Sequence, residues 1–220
     1  MAEGRNLIKG LRLDRNEKVD LWPKDFIKKV LKKKPPSFFS TYPKITGLYK
    51  QIAKFEKVKE DKILITSGID GSIKNILSLI TKPNETISVL SPTYAMYEVY
   101  SKIFQLKLFK IGYNKNYEII KSDFDKFFKL KPKILFLPNP NQPIENTLNL
   151  KDIEKIALRC KRKKCFLVVD EAYHHFGSKS AVPLIKKFKN IIVLKTFSKA
   201  FGVPSIRTGF TVSDKKNMDI

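Results

Sequence analysis

From about Lys62 onward the chain alternates short apolar runs with segments of helical periodicity, and this alternation restricts the fold more than any other feature. Residues 62–66 (Lys-Ile-Leu-Ile-Thr) read as a strand, and over 70–80 the residues Ile73, Ile76, Leu77 and Ile80 recur at helical spacing. Strands at 86–90, 106–111, 133–137, 166–170, 191–195 and 208–212 are then interleaved with helices at 94–104, 122–129 and 150–163. Such a pattern predicts an α/β fold, three layers deep, with helices on both faces of a mainly parallel central sheet. Runs as uniformly apolar as Phe166-Leu-Val-Val169 and Ile191-Ile-Val-Leu194 suit central strands that are covered on both sides. Residues 1–44 differ: Lys34-Pro35-Pro36 and Tyr42-Pro43 punctuate them, and they hold one helix candidate, 24–33. They read as an N-terminal arm and lead-in to a domain over 45–220.

Composition excludes several classes. The formal charge of +23 would suit a nucleic-acid partner, but the 44 basic residues are scattered from Arg5 to Lys216. No zinc-finger, helix-turn-helix or aromatic-basic signature accompanies them, so nucleic acid is not the expected partner. Of the densest clusters, Lys28-Lys29, Lys32-Lys33-Lys34 and Lys161 to Lys164, the first and last fall where solvent-facing helix positions are expected. No apolar run approaches the ~20 residues that span a bilayer. The opening Met-Ala-Glu-Gly-Arg-Asn has no apolar signal core, which leads us to expect a cytoplasmic protein with no membrane association. Cys160, Cys165, His174 and His175 lack the further ligands at known spacing that a metal site needs; they read as free thiols and loop histidines. The adjacent histidines would point in different directions on a regular element.

In parallel sheets the ligand sits beyond the carboxyl ends of the strands. The segments there are Ser67-Gly-Ile-Asp70, Ser91-Pro-Thr-Tyr94, Pro138-Asn-Pro-Asn-Gln142, Asp170-Glu-Ala-Tyr173 and Thr196-Phe-Ser-Lys199. With Arg207, they bring a lysine, a strand-end acid, a tyrosine, an arginine and a helix amino terminus to one sheet edge. An enzyme that holds pyridoxal 5'-phosphate (PLP) needs such a set. The lysine amine bonds the cofactor's aldehyde, a carboxylate keeps its ring nitrogen protonated, and a helix amino terminus receives its phosphate.

The succession Asp170-Glu-Ala-Tyr173, Thr196-Phe-Ser-Lys-Ala-Phe-Gly202 and Arg207-Thr-Gly209 resembles the PLP-dependent aminotransferases of fold type I (class I/II), in the branch that contains histidinol-phosphate aminotransferase. Asn16-Glu17, Tyr42-Pro43, Pro92-Thr-Tyr94 and Asn139-Pro-Asn141 extend the likeness along the chain. The resemblance implies the large domain of that fold, and an amino-acid-biosynthetic enzyme moving an amino group between an amino acid or amino-phosphate compound and a 2-oxo acid. It implies that Lys199 carries PLP and moves the substrate's Cα proton, that Asp170 pairs with the ring nitrogen, and that Tyr173 bonds the ring's 3-oxygen. Thr196, Ser198, Arg207 and the backbone of Ile69 and Asp70 would bind the phosphate. Tyr94 would stack on the ring, although spacing alone equally places it in the core with Tyr97, Tyr100 and Phe104. Tyr42 would reach the cofactor of a second subunit, so a homodimer is implied.

The likeness has departures. Gln142 stands where the family has the asparagine that binds the 3-oxygen; it carries the same amide on a longer stem. Gly68-Ile-Asp-Gly71 replaces Gly-Ala-Asp-Glu, and Val203-Pro-Ser205 replaces Leu-Ala-Gly before Arg207. The family's carboxy-terminal small domain, with the arginine that clamps the substrate's α-carboxylate, has no counterpart before Ile220, and the reading is therefore of an incomplete large domain or fragment. Two other functions stay open: a PLP-dependent decarboxylase of an amino-acid phosphate, which shares these motifs, and a catalytically silent or basic binding module.

Overall fold

The computed structural model describes residues 14–18, 20 and 22–219. Residues 1–13, Val19, Leu21 and Ile220, which include the opening six residues and Lys9, lie outside the described residues. The centre is a seven-stranded sheet of order β1-β7-β6-β5-β4-β2-β3. Its strands are β1 (Ile63–Thr66), β2 (Thr86–Leu90), β3 (Lys107–Ile111), β4 (Ile134–Pro138), β5 (Phe166–Asp170), β6 (Ile191–Thr196) and β7 (Gly209–Ser213). β7 runs antiparallel to both of its neighbours, and every other pairing is parallel.

Alternation along the strands divides the core in two. Leu135, Leu137, Leu167, Val169, Ile191 and Val193 pack on one face beneath α2 (Thr46–Glu56), α5 (Lys121–Lys129) and α6 (Leu150–Arg162). Ile134, Phe136, Val168, Ile192 and Leu194 pack on the other, beneath α3 (Gly68–Ile80) and α4 (Met96–Ile103). Both faces are therefore dry, which is why these strands carry unbroken apolar runs instead of alternating with polar residues. Truncating Phe136, 0% exposed, would cost roughly 3–5 kcal/mol by transfer and cavity terms together.

The same alternation decides where the polar residues at strand ends point. Asp170 continues the α4 face of β5, and Glu171 turns to the α2 face. Lys195 likewise continues the α2 face of β6. There its ammonium lies 3.0 Å from Glu56 Oε2 and 3.1 Å from Glu171 Oε2, and 3.2 Å from His174 Nε2. An ammonium only donates, so Nε2 accepts and Nδ1 carries the proton toward the Glu171 carbonyl, 3.2 Å away. Burial pushes Glu56 up and His174 down from their ordinary values.

Several elements differ from the sequence reading. The helix of the arm, α1 (Lys24–Lys32), is present, but α2 and the short α7 (Lys215–Met218) had no counterpart in it. α4 begins at Met96, leaving Tyr94 on the segment leading into it and not on the helix. Tyr94 is 43% exposed whereas Tyr97 is 1% exposed, so only the second belongs to the core. His174 and His175 do not diverge. They share a 3₁₀ turn that brings their rings to 3.7 Å, on the side of Lys195 and Phe55. Cys160 and Cys165 are free and buried. Among the described residues no helix is long and apolar enough to cross a membrane, and no cluster of three or more potential metal ligands occurs.

Candidate active site

Strand direction brings the site together. β2, β4, β5 and β6 point their carboxyl ends to one edge, and β1, separated from β6 by the antiparallel β7, does the same. β7 starts at that edge, so Arg207, two residues before it, arrives there as well. The chain reverses its winding between β2 and β4, where parallel sheets leave a crevice. A cavity of about 770 Å³ occupies that edge.

Lys199, Asp170, Tyr173, Gln142, Tyr94, Ile69, Asp70, Thr196, Ser198 and Arg207 all line this cavity. Tyr42 does not; it is fully exposed on the arm. The sequence reading had not placed Asn16 or Arg15 here. Asn16, with φ of 51°, donates from Nδ2 to the Tyr173 hydroxyl at 3.0 Å, and the Arg15 carbonyl accepts from Lys199 Nζ at 2.8 Å. The Lys199 amine also sits 5.5 Å from the centre of the Tyr173 ring.

One end of the cavity is built for an anion. Ser67, the residue before α3, makes no side-chain cap, so the first backbone N–H groups of the helix have no side-chain acceptor from it. Gly68 takes φ of +72°, and a Cβ there would lie 3.2 Å from Arg207 Nη2, so the glycine keeps room for the guanidinium. Asp70 Oδ2 stands 3.5 Å from Arg207 Nη2 and its Oδ1 accepts from the Tyr94 hydroxyl at 2.9 Å. Dipole, free N–H groups and guanidinium thus converge where a phosphate would sit.

The floor is a carboxylate. Asp170 is 5% exposed; its Oδ1 accepts from the Ala172 N–H at 2.9 Å and its Oδ2 from the Tyr97 hydroxyl at 2.6 Å. Burial pushes its acidity up to about pH 6 against the pull of those two donors, with Glu171 and Asp70 adding to the rise. Behind Gln142, which lines the cavity, Asn141 ties three segments together. It accepts from Thr93 at 2.6 Å and donates to the Pro92 carbonyl at 2.9 Å and the Tyr113 hydroxyl at 2.7 Å.

These residues fit PLP on the structure's own terms. An anion cradle, a buried acid and a lysine amine border one cavity, and the Cβ that would crowd the cradle is missing at Gly68. Sheet order and cavity together define the class: a PLP-dependent transferase fold, seen in its sheet-bearing domain. Within that class the chain belongs to the aminotransferase class I and II family, whose model matches residues 9–219. Histidinol-phosphate aminotransferase of Caldanaerobacter subterraneus subsp. tengcongensis is 31% identical over 96% of this chain and 60% of its own length. A structure described as a putative histidinol-phosphate aminotransferase of Erwinia carotovora atroseptica superposes with a TM-score of 0.81 at 25% identity, covering 93% of this chain and 61% of that one. L-threonine-O-3-phosphate decarboxylase of Porphyromonas gingivalis shares the fold, with a TM-score of 0.72 at 23% identity over 89% of this chain and 61% of that one. The chain therefore spans about 60% of the length of these relatives.

Proposed function

We propose that the cavity holds PLP on Lys199 and that the chain serves an amino-group transfer of the histidinol-phosphate aminotransferase type, from an amino acid or amino-phosphate donor to a 2-oxo acid. The observation that carries this reading is the placement of Lys199, Asp170 and the α3–Arg207 cradle around one cavity. When bound, PLP supplies an aldehyde for an amine to bond and an electron-poor ring that accepts the electron pair of a breaking Cα bond.

Arg207, Thr196, Ser198 and the first N–H groups of α3 would hold the phosphate, and Tyr94 would cover a ring face from its place beside Asp70. The carboxylate of Asp170 would hold a proton at the ring nitrogen; buried and fixed by two donors, it needs no solvent rearrangement to do so. Tyr173, oriented by Asn16, would donate to the ring's 3-oxygen, and Gln142 would reach the same oxygen from the other wall. Lys199 Nζ, at the cavity wall, would take the substrate's Cα proton and hold it for return. Family likeness favours transamination over decarboxylation.

We also assign residues 45–220 to the cofactor-binding domain, with 1–44 as its arm, in a cytoplasmic homodimer. Support for the dimer is the aromatic surface of the arm, where Phe39 and Tyr42 are 86% and 100% exposed; a second copy would cover them. Unpaired Cys160 and Cys165 accord with a reducing compartment. The test is spectroscopic: purified protein mixed with PLP should develop the absorbance of lysine-bound cofactor, and Lys199→Ala should abolish it. A correctly folded wild-type chain that develops no such band refutes the proposal.

A further inference from the structure

We propose that Tyr97 is a positioning residue of this site, its buried hydroxyl clamping the Asp170 carboxylate from behind and favouring its charged form. The inference rests on the reading of the cavity as a PLP site. Tyr97 is read most simply as core, since it lies on the inner face of α4 and is 1% exposed. Its ring is held by Phe136 at 5.0 Å and by the edge contact with Tyr94 at 6.2 Å. Packing therefore fixes where the hydroxyl points, and it points at Asp170 Oδ2, 2.6 Å away. That distance belongs to hydrogen bonds from a hydroxyl to an ionised oxygen.

A phenol has one proton to give. Against an ionised Asp170 it donates that proton, whereas against a protonated Asp170 two hydroxyl groups would compete for the same role. The contact therefore stabilises the carboxylate more than the acid. It also restricts geometry, because Oδ1 is already committed to the Ala172 N–H. With one donor on each oxygen, the carboxylate is fixed in orientation where it lines the cavity. Around Asp170 the charged groups that act on it are Glu171 on its own strand end and Asp70 on α3, and Tyr94, Tyr173, Lys199, Arg207, Asp14, Arg15 and Glu17 share its cavity. Glu171 and Asp70 oppose ionisation, so the Tyr97 donor counters them as well as burial. A ring nitrogen holds its proton more firmly beside a charged partner, and this is how a residue that touches no ligand would act on one.

Tyr97→Phe removes the donor and keeps the ring. Leu135→Ala is the control, because it removes buried core volume on the opposite face of the sheet, away from Tyr97. Two readouts separate the claims: the Asp170 carboxyl titration followed by carbon NMR in ligand-free protein, and PLP affinity with the pH dependence of its bound spectrum. We expect Tyr97→Phe to move the Asp170 midpoint upward by about one pH unit, the worth of one charge-assisted hydrogen bond, and to weaken PLP binding about tenfold. Leu135→Ala should lower thermal stability and leave the midpoint in place. In wild type, the Tyr97 Cζ resonance should titrate with Asp170, a measurement that needs no variant to fold. A folded Tyr97→Phe protein with an unmoved midpoint overturns the inference, as does a Tyr97 Cζ signal that ignores the Asp170 titration. Failure of wild type to bind PLP would overturn the proposed function instead, since the ligand-free titration reads the Tyr97–Asp170 coupling by itself.

Discussion

Asp170→Asn should make the ligand-free protein more stable at neutral pH while removing its ability to hold cofactor. In the folded chain the Asp170 proton is held up to about pH 6, against an ordinary value of 3.8. A carboxyl raised on folding favours the folded state fully below 3.8, and that advantage is lost as pH rises through 6. Over that interval, at 1.36 kcal/mol per pH unit, ionised Asp170 is a liability of about 3 kcal/mol at pH 7.5 and of less than about 1 kcal/mol at pH 4. Asparagine has nearly the same shape and no charge to desolvate. Its carbonyl can still accept from the Ala172 N–H, and its amide can donate to a rotated Tyr97 hydroxyl. Urea unfolding of both proteins without cofactor, at several pH values between 4 and 8, measures the difference directly. We expect a gain that grows from near zero to about 3 kcal/mol across that range, and a reversed order when PLP is added in excess. A difference that stays flat with pH, or a variant less stable than wild type at pH 7.5, would refute the account of Asp170 as a destabilised, function-serving acid.

Three other perturbations follow from the same geometry. Lys195→Met strands the buried carboxylates of Glu56 and Glu171 without their shared cation; a loss of about 3–5 kcal/mol is expected near pH 7. That loss should shrink in acid as Glu56, already raised by burial, takes up its proton, and unfolding curves at pH 5 and 7 would show it. Gly209→Ala places a methyl 2.6 Å from the Lys195 carbonyl and 2.9 Å from the Gly68 carbonyl carbon, both backbone. Overpacking there should cost about 1–3 kcal/mol in unfolding free energy and weaken PLP binding by displacing the start of α3. Arg207→Ala should lower PLP affinity at least tenfold with unchanged stability, measured by fluorescence titration, and the lost affinity should be largest at low salt.

The strands were legible because each is an unbroken apolar run, and that pattern is forced on a sheet covered on both faces. The direction of β7 was not legible, since a strand's sequence is the same whichever way it lies beside its neighbours. Yet that direction is what delivers Arg207 to the cavity. α2 escaped notice because its inner face is narrow: only Ile52 and Ala53 are buried among its residues. Helical spacing placed Tyr97 on an inner face, which is where it lies, but periodicity names a face and not a partner. The bond to Asp170 spans 73 positions. Asn16 had been noticed only as part of a motif; its contact with Tyr173 spans 157 positions and is visible only once the chain is folded.

Consecutive residues at the ends of β5 and β6 divide stability from chemistry. Asp170 and Glu171 differ by one position and so face opposite sides of the sheet, as do Lys195 and Thr196. Asp170 and Thr196 turn toward the cavity, and Glu171 and Lys195 turn under α2 into the ion cluster with Glu56. That cluster is closed: Lys195, Glu56 and Glu171 are 4%, 6% and 1% exposed. An anchored Glu171 fixes the backbone on which Asp170 sits, and an anchored Lys195 fixes the turn that leads through Thr196 to Lys199. Strain or repulsion at the carboxylate floor can then be tolerated, because the strand ends that carry it are pinned from the opposite face. The Lys195→Met variant accordingly tests more than stability. If it remains folded in acid, its Asp170 carboxyl should titrate over a broader range than in wild type, as the strand end samples more than one position.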